Sequence, residues 1–324
     1  MDLRQSLFEL IARHQLDRTQ ARQLQQLSGL LDEPPGLASW LPRGAAILGA
    51  ALGGLGVVMW IAANWETLGR PGRFGLLQAL VLATAVGAAW RPAARAPLGL
   101  LSLLGIGALF AYFGQTYQTG ADAWQLFALW AVLALPLCLG ARSDVLWTPW
   151  ALVAMTALSL WTHTHIGRQW QVRPEDLDVH MLAWAMALLL VAALSPALRR
   201  FTGAGPWAMR TAIVLAVMSF TLIALGGLFH KTVAGQYPLG LLMLVVSAGL
   251  LGTRRHFEVF GLSAVALGLN ALLVAGLGRW LFDRHGGGDE IGKLMLLGLG
   301  AAGLLAASVS GILRLSRRAT GAQA

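Results

Sequence analysis

Residues Gly105–Pro136 read GIGALFAYFGQTYQTGADAWQLFALWAVLALP. Two apolar runs face each other across a short polar turn, Gln115–Asp122, which holds amides, hydroxyls, a tyrosine and one carboxylate, with no base. Both runs continue beyond the quoted stretch, near 97–114 and 124–140, and so approach the length of about 20 residues that crosses a hydrocarbon core as a helix. In hydrocarbon the backbone N–H and C=O groups find partners only within a helix or a closed barrel, so each run is expected to be helical.

Similar runs recur along the chain. Of its 324 residues 56% are hydrophobic and 12% charged, where a soluble domain carries about 25% charge. That is too little charge to coat a soluble globule. The pattern predicts an all-α polytopic integral membrane bundle of about ten transmembrane helices, near 44–63, 74–90, 97–114, 124–140, 145–161, 180–198, 210–229, 237–252, 257–278 and 291–313. Trp65, Trp90, Trp124, Trp147, Trp161, Trp207 and Trp280 fall at expected helix ends, where an aromatic belt meets the headgroups.

Ahead of the first run, residues 1–43 form a cytoplasmic amphipathic helical hairpin and linker. Leu3, Leu7, Leu10 and Ile11 share one helical face; Asp17 with Gln20 forms a capping box that opens a second helix. Its arginines suit anionic lipid, and the hairpin lies on the membrane or packs on itself, with a docking site for a cytoplasmic partner as the alternative. The expected divisions that follow are a membrane region at 44–145, a C-terminal bundle at 146–313 and a basic cytoplasmic tail at 314–324.

The formal charge is +9, yet the bases are dispersed as ones and twos at the ends of apolar runs, which argues against nucleic acid and for lipid headgroups. With ten crossings, Arg91, Arg95, Arg142, Arg199, Arg200, Arg210, Arg254, Arg255, Arg314, Arg317 and Arg318 share a side with the N-terminal arginines, which makes sixteen of the 24 bases. The positive-inside rule then puts both termini in the cytoplasm, across a bacterial inner membrane, and the base-free turn outside.

Small residues at spacing four, Gly49/Gly53 and Gly298/Ala302/Ala306/Ser310, read as close helix packing within the bundle, with homo-oligomerisation as the alternative. No expected span carries a charged residue near its middle, so the proton or ion relay usual in pumps is missing. Asn270 is the deepest polar group and is expected to hydrogen-bond a neighbouring helix. Cys138 is the only cysteine, an inert thiol within an apolar helix.

Around the opening turn, if the third span continues to Gln118, Tyr112, Gln115, Thr116 and Thr119 share a face at helical spacing, and Gln115, Gln118 and Asp122 are likewise three and four apart. Asp122 suits the N-cap of the next helix, and Gly114 and Gly120 let the backbone bend or approach closely. The competing reading is a polar pocket at the outer mouth. His163, His165 and His180, all expected outside, are weak candidates for zinc or copper; the loose spacing favours a solvated loop, and no cofactor fingerprint is present.

The glycine-rich first span running into Trp60-Ile61-Ala62-Ala63-Asn64-Trp65, followed by GQTYQTGADAWQLFALWAVLALP at 114–136, resembles the bacterial membrane-protein family catalogued as domain of unknown function 2157. The resemblance covers about residues 1–145. It implies location and architecture and brings no catalytic residues. Asn64, Trp65, Gln115, Tyr117 and Asp122 match its motifs, and with Tyr112 and Gln118 they make the candidate ligand site. Three functions follow as expectations: binding or passive handling of a small or lipidic ligand at an outward-facing polar mouth between the first four spans; a scaffold or sensor that recruits a partner through the hairpin; and, as the weaker class, a metal-dependent envelope enzyme.

Overall fold

The computed structural model describes residues 3–28, 37–63, 69–117, 120, 122–167, 171–253, 257–284 and 290–320. These residues form thirteen α-helices, three short 3-10 turns and no strand. Contacts divide the chain into two compact units, Met1–Gly49 and Ala50–Ala324.

In the first unit α1 (Leu3–Arg13) and α2 (Arg18–Leu27) are joined by a turn at Gln15, whose φ is +49°. Asp17 caps α2 as its side chain accepts the Arg18 N–H, while Gln20 Oε1 accepts the Asp17 N–H at 3.2 Å. This is the expected capping box, and it satisfies backbone donors that a helix start leaves open. The unit boundary falls inside α3 (Leu37–Ala63).

The second unit continues through α4 (Arg70–Trp90), α5 (Arg95–Tyr117), α6 (Ala123–Ala141), α7 (Asp144–His165), α8 (Leu177–Ala193), α9 (Arg199–Thr202), α10 (Pro206–Leu228), α11 (Gln236–Gly252), α12 (Val259–Arg284) and α13 (Glu290–Thr320). Among the described residues nine helices are long and apolar enough to cross a membrane. The tenth expected span, α11, is apolar but has 17 residues. At 1.5 Å per residue it reaches about 26 Å, short of a hydrocarbon core of about 30 Å. The last helix runs seven residues past the expected 313, so Arg314, Arg317 and Arg318 lie on α13.

Sequential helices pack as antiparallel neighbours, α4 on α5, α6 on α7, and α10 through α13 in series, while α7 also packs on α10. The core lies where α7 and α10 meet, around Leu146, Trp150, Ala151, Trp184, Ala212 and Phe220. Close approach uses glycines placed differently from the spacing-four pattern. A Cβ at Gly107 would enter the Trp130 indole, and one at Gly54 would meet Leu101. Gly53 and Gly298 face open space instead, and Ala302, Ala306 and Ser310 are exposed. The stripe on α13 therefore does not pack inside the bundle; α12 is met by the neighbouring face, where Gly300 approaches Leu277.

The loops of this unit sort into two ends. At one, Arg142 donates to the Arg200 carbonyl, Trp147 Nε1 donates to the Thr202 carbonyl at 2.9 Å, and Arg210 pairs with Glu258 at 3.0 Å. Leu146, at that same end, lies against Gly99 just past the Arg91–Arg95 turn. At the other end, Gln236 Nε2 donates to the Arg173 carbonyl at 2.6 Å, and Arg279 reaches the His230 and Lys231 carbonyls at 2.9 and 3.3 Å. Trp147 is at a helix end as expected, but it is buried beneath the α9 segment and lies outside any belt. Trp90, Trp207 and Trp280 remain exposed.

Candidate functional site

The end of α5 brings aromatic residues together. Tyr112 is 4% exposed and packs with Leu77, Phe74, Ala108 and Leu109. The Phe74 ring, on the second turn of α4, lies 4.6 Å from Tyr112 and 5.7 Å from Tyr117, and Phe113 lies 5.0 Å from Tyr117. Offset and tilted rings at such distances attract through their quadrupoles as well as through buried area. Tyr117, which ends α5, is 55% exposed, so one side of its ring packs while the rest meets the surroundings.

This geometry splits the expected face. Tyr112 turns into the α4–α5 seam, Thr116 is half-buried, and Gln115 is exposed. Three residues on a helix advance by about 300°, so Gln115 is offset by about 60° from Tyr112, enough to leave a seam only one side chain wide. Gly120 adopts φ +68°, a conformation that disfavours a Cβ, and a Cβ at Gly114 would approach Leu126 of α6 at 3.0 Å. Both glycines do what their positions predicted. Asp122 occupies the N-cap position of α6 with extended backbone, and its carbonyl accepts the Gln125 N–H, but its side chain makes no capping hydrogen bond. Asn64, Trp65 and Gln118 lie outside the described residues.

The histidines do not converge. His165 stacks on Trp161 with 4.4 Å between rings, and its Nδ1 lies 2.8 Å from the Trp161 carbonyl. His163 is half-buried, and His180 is 1% exposed. Among the described residues no group of three His, Cys, Asp or Glu side chains is placed to hold a metal ion. His180 was expected in an external loop; it stands instead on the buried face of α8 with Ala183, Trp184 and Ala187. The spacing 180, 183, 184, 187 is a helical core stripe, so the signal was present in the sequence. Gln236 is also fully buried, its amide tied to the Arg173 carbonyl, although its place at the start of an apolar run gives no sign of that depth.

Comparison with known proteins agrees with this architecture. Residues 8–147 match the family described as predicted membrane protein (DUF2157). The DUF2157 match runs from α1 to the first turn of α7 and takes in the whole Phe74/Tyr112/Tyr117 cluster. No curated protein and no solved structure matches the chain. Over residues 8–147 the chain is similar to a membrane-protein family with no stated activity, and the nine long apolar helices among its described residues make it a multi-pass membrane protein.

Proposed function

We propose that the protein binds a small or lipidic ligand at a mouth formed by the ends of α4, α5 and α6, on the outer face of a bacterial inner membrane. The observation that carries this reading is Tyr117. A half-exposed tyrosine, braced by Phe74 and Phe113 and followed by a turn without bases, offers an apolar ring and a hydroxyl to an amphiphile. Exposed Gln115 adds an amide to the same turn of helix. The orientation follows from charge: the end with Arg91, Arg142, Arg200 and Arg210 belongs with the anionic cytoplasmic leaflet. The test measures the melting temperature of detergent-purified protein against a panel of short-chain phospholipids and lysophospholipids. A shift in the native protein that vanishes in the Gln115→Ala/Tyr117→Ala/Asp122→Ala variant supports the site; an equal shift in both removes it.

A second reading rests on the first unit. Phe8, Leu10 and Leu27 are exposed on a hairpin that has its own capping box, a surface suited to a cytoplasmic partner or a membrane face. Deleting residues 1–32 discriminates. Loss of the cellular phenotype with an intact membrane bundle favours a scaffold or sensor, whereas retention of phenotype favours the ligand mouth.

A further inference from the structure

At the opposite end of the bundle a cavity of about 340 Å³ opens between the C-terminal turns of α4 and α6. Its walls include Ala85, Ala88 and Ala89 on one side and Pro136 and Gly140 on the other, with Arg95 at the start of α5. The volume is at the lower end of the range of about 300–1,000 Å³ usual for small-molecule sites. We propose that this cavity is a binding site for an anionic phospholipid, the phosphate on the Arg95 guanidinium and acyl-chain carbons against the alanine and glycine walls.

Charge and depth both argue for this occupant. Arg142 at this end is spent on the Arg200 carbonyl, and Arg210 on Glu258. Asp144, the carboxylate near the α6–α7 turn, accepts three backbone N–H groups at the start of α10. Arg95 donates its Nε to the neutral Ala88 carbonyl at 3.3 Å and forms no ion pair among the described residues. A half-buried guanidinium with donors left over and no carboxylate beside it is complementary to a phosphate, which it can grip in a fork geometry. Trp90, 81% exposed at the end of the same helix wall, marks the headgroup level. The apolar walls then extend from that level toward the hydrocarbon, where chains are the surrounding solvent. Pro136 contributes no N–H and Gly140 no side chain, so this stretch of α6 leaves the groove unfilled.

The same contact has a purely structural use, because a cation near the end of α4 offsets the negative pole of its dipole. Lipid selectivity separates the two. The full chain, purified in detergent, is titrated with phosphatidylglycerol and with phosphatidylcholine of the same chains, and bound lipid is read by native mass spectrometry. The native protein is expected to prefer phosphatidylglycerol by about tenfold, the equivalent of one charge-assisted hydrogen bond. Arg95→Gln abolishes the preference and Arg95→Lys keeps most of it. Gly140→Leu, placed where a Cβ meets open space, reduces binding of both lipids. Helical circular dichroism checks that each variant is folded; if Arg95→Gln fails that check, Gly140→Leu and the native selectivity decide. Equal binding of the two lipids by native protein, a preference that survives Arg95→Gln, or unchanged binding in Gly140→Leu overturns the proposal. Arg95-dependent binding of inorganic phosphate alone, with no preference between the two lipids, would assign the arginine to free phosphate and overturn the proposal as well.

Discussion

The carboxylate of Asp144, in the first turn of α7, accepts the backbone N–H of Ala208, in the first turn of α10, at 3.1 Å. The same carboxylate takes the N–H groups of Gly205 at 3.0 Å and Trp207 at 2.8 Å. Gly205 stands at the N-cap of α10 with no side chain to cap it, so a residue 61 positions away does so. A negative charge there also meets the positive pole of α10. Asp144→Asn is expected to cost about 1 kcal/mol and Asp144→Ala about 2 kcal/mol. Gly205→Ala should be as damaging, because its Cβ would overlap the carboxylate. Thermal denaturation in detergent measures all three, and an unchanged Asp144→Ala variant would show that the cap adds nothing.

Glu258 joins an ion pair to a helix start. Its Oε1 pairs with Arg210 at 3.0 Å, and its Oε2 takes the Gly261 N–H at the start of α12. The Arg210 guanidinium also lies 5.2 Å from the Trp207 ring and 5.4 Å from Phe260. Glu258→Ala removes the bridge and the cap together, and we expect it to be more destabilising than Arg210→Ala, by about 1 kcal/mol. A double-mutant cycle should yield a coupling of about 1 kcal/mol, since the pair is only partly shielded from water. Additive losses would mean that the two charges do not cooperate.

Gly107 admits the Trp130 indole, whose Nε1 donates to the Leu103 carbonyl at 2.8 Å. A methyl at position 107 overlaps that ring and pushes it off its carbonyl. Gly107→Ala is expected to cost about 1–3 kcal/mol, as overpacking does elsewhere. The tryptophan emission should shift with it, which distinguishes a displaced ring from a general loss of stability. A fully stable Gly107→Ala would refute the close approach of α5 and α6 at this point.

Asn270 accepts a hydrogen bond from Ser308 Oγ at 3.0 Å, between α12 and α13. Polar contacts of this kind within membranes average about 0.6 kcal/mol. Asn270→Leu is therefore expected to cost no more than about 1 kcal/mol, and Ser308→Ala to lose nothing further in the Asn270→Leu background. A loss in Asn270→Leu well beyond that of Ser308→Ala alone would indicate that Asn270 serves something besides this helix pair.

The fold was legible because bilayer thickness imposes a length on every apolar run, and the Asp17/Gln20 box and the bond from Asn270 to a neighbouring helix follow from local chemistry. Depth and partner choice were less so. Tyr112 and Gln115 read alike as polar groups on one face until Phe74, 38 residues upstream, takes Tyr112 into its seam. Trp147 resembles a belt residue until α9 covers it, and Asp144 reads as a plain first-turn acid on its own helix. The small-residue stripe on α13 has the period of a packed face and is exposed, because Gly300 and Leu297 on the adjacent face meet α12. In each case the missing information was which neighbouring segment folds over the residue.

Membrane sidedness bears most directly on the account. In a Cys138→Ala background, which removes the native thiol, Asp122→Cys and Arg91→Cys report on opposite ends of the bundle. Intact spheroplasts treated with a membrane-impermeant maleimide should label Asp122→Cys at once, and Arg91→Cys only after permeabilisation. Labelling of Arg91→Cys from outside, with Asp122→Cys protected, would invert the bundle and place the tyrosine mouth in the cytoplasm.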